Sequence, residues 1–161
     1  VDPIDGTRAF IDRTPNFVVS IAVIENGQSV AGALYNPLKD ELYTAVLGSG
    51  AFLNGQSISC GDKAEIENCL MVGYPRKFRR LGWPDMNVVV INSMAYRIAL
   101  VAAGFQDATV AFTPKSDWDL AAAALTFKTD VLWSQLDALS SAYVEPARIP
   151  PGGWTPSEGL L

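Results

Sequence analysis

The chain of 161 residues contains no histidine. That excludes Ser-His-Asp and Cys-His nucleophilic machinery, and histidine-ligated zinc, in one step. Cysteine is scarce too. Cys60 and Cys69 are the only two, too few for a disulfide framework and too far apart for a Cys-x-x-Cys redox or metal motif. They read as reduced thiols of a cytoplasmic protein. Basic residues are outnumbered, with 12 Lys and Arg against 17 Asp and Glu for a net charge of −5, which argues against a general nucleic-acid binder. No apolar run approaches the roughly 18 residues a membrane span needs, so no membrane partner is expected. What is present is a core: 49% of residues are hydrophobic and only 18% charged, enough for one ordinary domain and unlike a disordered chain. Any chemistry must run on carboxylates, hydroxyls, backbone groups and a metal.

The pattern of elements predicts an antiparallel meander first. Residues 17–25 are β-branched and apolar, the Asn26-Gly27 pair signals a hairpin, and residues 29–35 return as a second strand. Residues 41–47 supply a third, and residues 51–53 lead to another Asn-Gly pair at Asn54-Gly55. Residues 73–84 hold four basic residues among aromatics, Gly and Pro and read as a loop, either a solvated connection or a rim attracting anionic substrate. Residues 87–91 read as a short buried strand. Residues 93–103 read as a helix with Ser93 as N-cap and Gly104 as its stop. A strand over 108–112 and a helix running on from Leu120 follow. Residues 126–161 mix weak helical pattern with prolines and glycines, and from Glu145 onward the composition predicts an extended or disordered tail.

Two stretches carry chemistry. In Asp2-Pro3-Ile4-Asp5-Gly6-Thr7, two carboxylates with a proline between them can face one hard cation, the Ile4 carbonyl can add an oxygen, and Gly6-Thr7 offers N–H groups and a hydroxyl to an anion. Alone, such a stretch is as readily a polar turn. Later comes Ser116-Asp117-Trp118-Asp119-Leu120-Ala121, where Asp119 alone reads as a helix-start aspartate or as a ligand.

Together and in this order, DPIDGT and WDLAA resemble the inositol monophosphatase family of magnesium-dependent, lithium-sensitive phosphatases. So do residues 30–37, 50–55 and 93–104, and the resemblance extends over roughly residues 1 to 125. It implies an α/β fold, the central part of a layered α-β-α-β-α sandwich, with residues 126–161 as a divergent segment. It implies Mg²⁺ held by Asp2, the Ile4 carbonyl, Asp5 and Asp119, phosphate held by Gly6 and Thr7, and Thr7 orienting the attacking water, with Asp5 and Thr7 as the catalytic pair. Substrate-side residues are expected around Asn92, Ser93 and Arg97 and near Lys115. Arg97 resembles the basic residue of bisphosphate nucleotidases more than the acidic one of inositol phosphatases, which would let it pair with a second phosphate. The bare reading is an arginine on a helix surface.

The expected reaction is hydrolysis of a small phosphorylated metabolite, an inositol monophosphate or adenosine 3′,5′-bisphosphate, by metal-activated water. A homodimer is allowed. Two departures from the family pattern predict a piece of a longer protein: the helical segment and acidic loop that precede DPIDGT in the family are not in this sequence, and no Glu-Ala-Gly-Gly-like turn follows residue 125. The competing expectation is a non-catalytic remnant of the same fold that binds metal or phosphate weakly or pairs with another subunit.

Overall fold

The computed structural model describes residues 1–26, 28–63 and 66–110. Asp119, Lys115, the strand expected beyond residue 110 and the helix expected from Leu120 lie outside them, as does the 126–161 segment. Asp2–Asp5 forms a short strand, β1, and Thr7–Ile11 a one-turn helix, α1. The meander then follows as β2 (Val18–Glu25), β3 (Gln28–Asn36), β4 (Glu41–Val46), β5 (Gly50–Leu53) and β6 (Gln56–Ile58). With β1 these make a six-stranded antiparallel sheet in sequence order. Its hairpins turn where the sequence allows: Asn54 and Gly55 both take positive φ, 48° and 79°, as a two-residue turn of this twist requires.

A second sheet comprises β7 (Leu70–Val72), β8 (Asn87–Val89) and β9 (Ala108–Thr109), parallel and ordered β8-β7-β9. Two helices connect its strands. Between β7 and β8 lies α2, Pro75–Arg80, so the loop expected over residues 73–84 is corrected: proline opens a helix there because its missing N–H is one that the first turn leaves unbonded anyway. Between β8 and β9 lies α3, Met94–Ala102. Its start and stop are those read from the sequence. Ser93 accepts a hydrogen bond from the Tyr96 N–H at 3.0 Å, and Gly104 leaves the helix at φ 72°.

The core explains the order of layers. Val18, Leu34 and Tyr43 of the large sheet, Val72 of the small one and Ile91 beyond β8 close on Ala95, Tyr96, Ala99 and Leu100 of α3. A second cluster of Ile66, Cys69, Met71 and Phe78 joins the far side of the small sheet to α2, with Trp83 packed against it. The fold is therefore α/β, with α3 held between two sheets and every residue from Met94 to Ala102 buried. The other face of the large sheet is apolar and open: Ile21, Val23, Tyr35, Leu42 and Val46 are exposed, and cross-strand pairing brings Tyr35 beside Leu42. No helix among the described residues is long and apolar enough to cross a membrane.

Where α3 meets the β3–β4 turn, the Glu41 carboxylate accepts hydrogen bonds from Tyr43 (3.0 Å) and Tyr96 (2.7 Å), and Lys39 Nζ donates to the Tyr96 oxygen at 2.7 Å. Burial, and then the Glu41 charge and hydrogen bond, hold both phenols protonated well above their ordinary range. Burial likewise pushes the Cys69 thiol up to about 11. These groups keep their protons in the folded state at pH values where the unfolded chain has lost them. Their contribution is thus complete below about pH 9 and is lost as pH rises through 11 and beyond. Urea midpoints measured from pH 8 to 11 should be flat at first and then fall; a midpoint that holds to pH 11 would refute this assignment.

Candidate active site

The site is built where β1 ends. Asp2 folds back on its own strand, its Oδ1 accepting the Ile4 N–H at 2.9 Å. In a regular strand residues 2 and 5 face opposite sides, but the β1–β2 register shifts between Asp2 and Asp5, an irregularity of the kind that re-aims side chains. Asp5 is only 7% exposed. Its Oδ2 accepts from Ser93 Oγ at 2.5 Å and from the Ala95 N–H at 2.7 Å. A carboxylate at the first turn of a helix meets unbonded N–H groups and the positive end of the dipole, so α3 both solvates and aims the Asp5 charge.

Gly6 makes this seating possible. It adopts φ 93° as the N-cap of α1, and a Cβ there would lie 2.8 Å from Ser93 Cβ and 3.0 Å from the Asn16 carbonyl oxygen. Beyond it, the exposed Thr7 donates its hydroxyl to the Ile4 carbonyl at 3.2 Å. Asp2, Ile4, Asp5 and Thr7 thus offer oxygen donors only. Such a set fits a hard ion such as Mg²⁺, which commonly takes one or two carboxylates and completes its shell with water and substrate phosphate. Among the described residues, no group of three His, Cys, Asp or Glu side chains is placed to hold a metal. Asp119, the further ligand implied by the resemblance, lies outside them.

Of the residues expected on the substrate side, Ser93 is fully buried and joined to Asp5 as N-cap of α3. Arg97 is not on a helix surface. It is 3% exposed, its Nε donates to the Ile91 carbonyl, and its guanidinium carbon lies 4.6 Å from the centre of the Tyr74 ring. The surface reading fails because α3 has no solvent face between its two sheets. Tyr74, which sequence reasoning passed over, reaches Asn92 Oδ1 with its hydroxyl at 3.4 Å. The signal that could have found it is an aromatic residue directly before Pro75 and a run of basic residues.

Comparisons with known proteins show the family. A profile of the inositol monophosphatase family matches residues 1–128. The chain is 33% identical over 156 residues to a Thermotoga maritima fructose-1,6-bisphosphatase/inositol-1-monophosphatase, covering 89% of this chain and 60% of that protein. It is 37% identical over 139 residues to a Dictyostelium discoideum inositol monophosphatase, covering 78% and 51%. Among solved structures it is similar to the extragenic suppressor protein suhB from Bartonella henselae, with TM-score 0.70 and 37% identity over 78% of this chain and 54% of that one. The chain therefore spans between half and two-thirds of these relatives' lengths. The match runs through the strand that ends in Asp5 and the helix that receives its carboxylate, and the chain belongs to the inositol monophosphatase family.

Proposed function

We propose that the chain is part of a metal-dependent phosphomonoesterase that acts on a small phosphorylated metabolite, an inositol monophosphate or adenosine 3′,5′-bisphosphate. The observation that carries the reading is a buried carboxylate, Asp5, fixed by two hydrogen bonds to the start of α3 beside the oxygen donors of residues 2–7. The family match supports it, and so does the Thermotoga relative, whose name pairs a bisphosphatase with a monophosphatase.

In this reading Asp2, the Ile4 carbonyl, Asp5 and Asp119 would hold Mg²⁺. When bound, the ion screens phosphate charge and lowers the pKa of water, so that no histidine base is needed. The chain's own groups do the rest. Ser93 and the Ala95 N–H fix the Asp5 carboxylate, so its orientation is set before substrate arrives. Gly6 and Thr7 present N–H groups and a hydroxyl to the phosphate, and the Thr7 hydroxyl, poised at the Ile4 carbonyl, orients the attacking water.

A second reading is a member of the fold that binds metal or phosphate without turnover; the observation that favours it is that, among the described residues, no group of three His, Cys, Asp or Glu side chains is placed to hold a metal. Phosphate release from inositol 1-phosphate and from adenosine 3′,5′-bisphosphate, each with Mg²⁺ or with EDTA, separates the two. The proposal expects release with Mg²⁺ and none above background with EDTA. Release insensitive to EDTA would overturn the metal assignment, and none from either ester would favour the second reading.

A further inference from the structure

We propose that Tyr96 is a positioning residue for the Asp5 carboxylate, one that holds the first turn of α3 in place through its hydroxyl. The link to catalysis rests on the phosphomonoesterase reading. Asp5 takes hydrogen bonds from that turn, from Ser93 Oγ at 2.5 Å and from the Ala95 N–H at 2.7 Å. The N–H groups of a helix's first turn have no partner within the helix, so the helical ladder does not fix where they point. Tyr96 ties the turn together, its own N–H donating to Ser93 Oγ at 3.0 Å. A Ser93 hydroxyl that donates to Asp5 and accepts from Tyr96 is oriented from both sides.

The side chain of Tyr96 carries the restraint outward. It is fully buried, and its hydroxyl stands between a cation and an anion. It accepts from Lys39 Nζ and donates to the Glu41 carboxylate, each at 2.7 Å. Lys39 Nζ also lies 4.9 Å from the centre of the Tyr96 ring, within the range of a cation–π contact. The turn that supplies these two charges is itself pinned. Asn36 Oδ1 accepts from the N–H groups of Leu38 and Lys39, and its Nδ2 donates to the Pro15 carbonyl at 2.9 Å. From the other side, the Asn54 side chain accepts from the Leu42 N–H and donates to the Asp40 carbonyl. Pro15 directly precedes Asn16, whose carbonyl oxygen is one of the atoms that close on Gly6. The turn and the corner that seats Asp5 are therefore anchored to one stretch of chain.

Tyr43 supplies the comparison. It too is fully buried, and its hydroxyl donates to the same Glu41 carboxylate at 3.0 Å. Its ring meets that of Tyr96 edge-on, 6.4 Å between centres, but it belongs to β4 and not to the turn that aims Asp5. Losing either hydroxyl takes one hydrogen bond from Glu41. Only the loss at Tyr96 frees the turn.

The test is amide hydrogen exchange of the 161-residue chain, read by NMR without added metal, in wild type, Tyr96→Phe, Tyr43→Phe and Lys39→Met. The Ala103 N–H, bonded to the Ala99 carbonyl at 2.9 Å, is the internal reference, because a loss of global stability speeds it too. Relative to Ala103, the amides of residues 95 and 96 should exchange about tenfold faster in Tyr96→Phe, the weight of about one hydrogen bond. Lys39→Met, at an exposed position, should raise the same ratio by about threefold, since an exposed donor is worth less. Tyr43→Phe should change it by less than about twofold. An unchanged ratio in Tyr96→Phe and Lys39→Met, or an equal rise in Tyr43→Phe, would overturn the assignment. In phosphate release, the Mg²⁺ concentration for half-maximal rate should rise about tenfold in Tyr96→Phe, the lower end of what losing an outer partner of a metal ligand costs. In Tyr43→Phe it should stay near wild type. A value that does not move in Tyr96→Phe, or moves equally in both, would likewise overturn it. Exchange is read without turnover, so a wild type that releases no phosphate would count against the phosphomonoesterase reading alone.

Discussion

Asp5→Asn is expected to lower Mg²⁺-dependent phosphate release by about 10²–10³-fold, the usual effect of deleting one preorganised electrostatic group, while leaving thermal unfolding close to wild type. The asparagine Oδ1 can accept the same hydrogen bonds from Ser93 Oγ and the Ala95 N–H. The α3 N-terminus therefore stays capped while the negative charge is gone. Asp5→Ala separates the two roles from the other side: it removes the charge and also strands two buried donors, adding a stability loss of about 1–3 kcal/mol. Initial rates and melting curves on both variants check this. Phosphate release that persists in Asp5→Asn would mean that the assigned carboxylate does not serve the reaction.

Gly6→Ala should be strongly destabilising, by about 2–5 kcal/mol. Part of the cost is the left-handed backbone at φ 93°, about 1–2 kcal/mol for a residue with a Cβ. The remainder is overpacking, typically 1–3 kcal/mol, because the new methyl would meet Ser93 Cβ at 2.8 Å and Ser93 Cα at 3.2 Å. Gly48→Ala is the matched control. It shares a positive φ, 77°, but has nothing within 4 Å, so it should lose only the backbone share. Denaturant unfolding of the two variants isolates the packing term. Equal losses would show that Gly6 is needed for its turn alone and that the β1–α1 corner does not press on the α3 cap.

The parts of the fold legible in the sequence are those whose signals are local. β-Branched apolar runs with an Asn-Gly pair after them predict paired strands, and β2 through β5 are found there. A serine before an apolar run and a glycine after it bracket α3. The strand β7 was not legible, since three residues carry no period. Nor was α2: six residues of mostly basic character show no apolar stripe, and the helix exists because Phe78 enters a cluster with Met71 and Cys69 that comes together only on folding. Arg97 shows the same limit at the site. Periodicity places it on a helix, but its environment depends on a second sheet closing over what an isolated helix would leave to solvent.

By itself, then, the sequence determined the chemistry available: oxygen donors gathered in Asp2-Pro3-Ile4-Asp5-Gly6-Thr7, no histidine, and no disulfide framework. These follow from residue type and near-neighbour spacing, which no packing can change. The tertiary structure decided where that chemistry is aimed. Asp5 receives its hydrogen bonds from Ser93 and Ala95, some ninety residues away along the chain, and Arg97 loses its solvent face between two sheets. Contacts at that separation depend on the packing of whole layers, which local pattern does not encode.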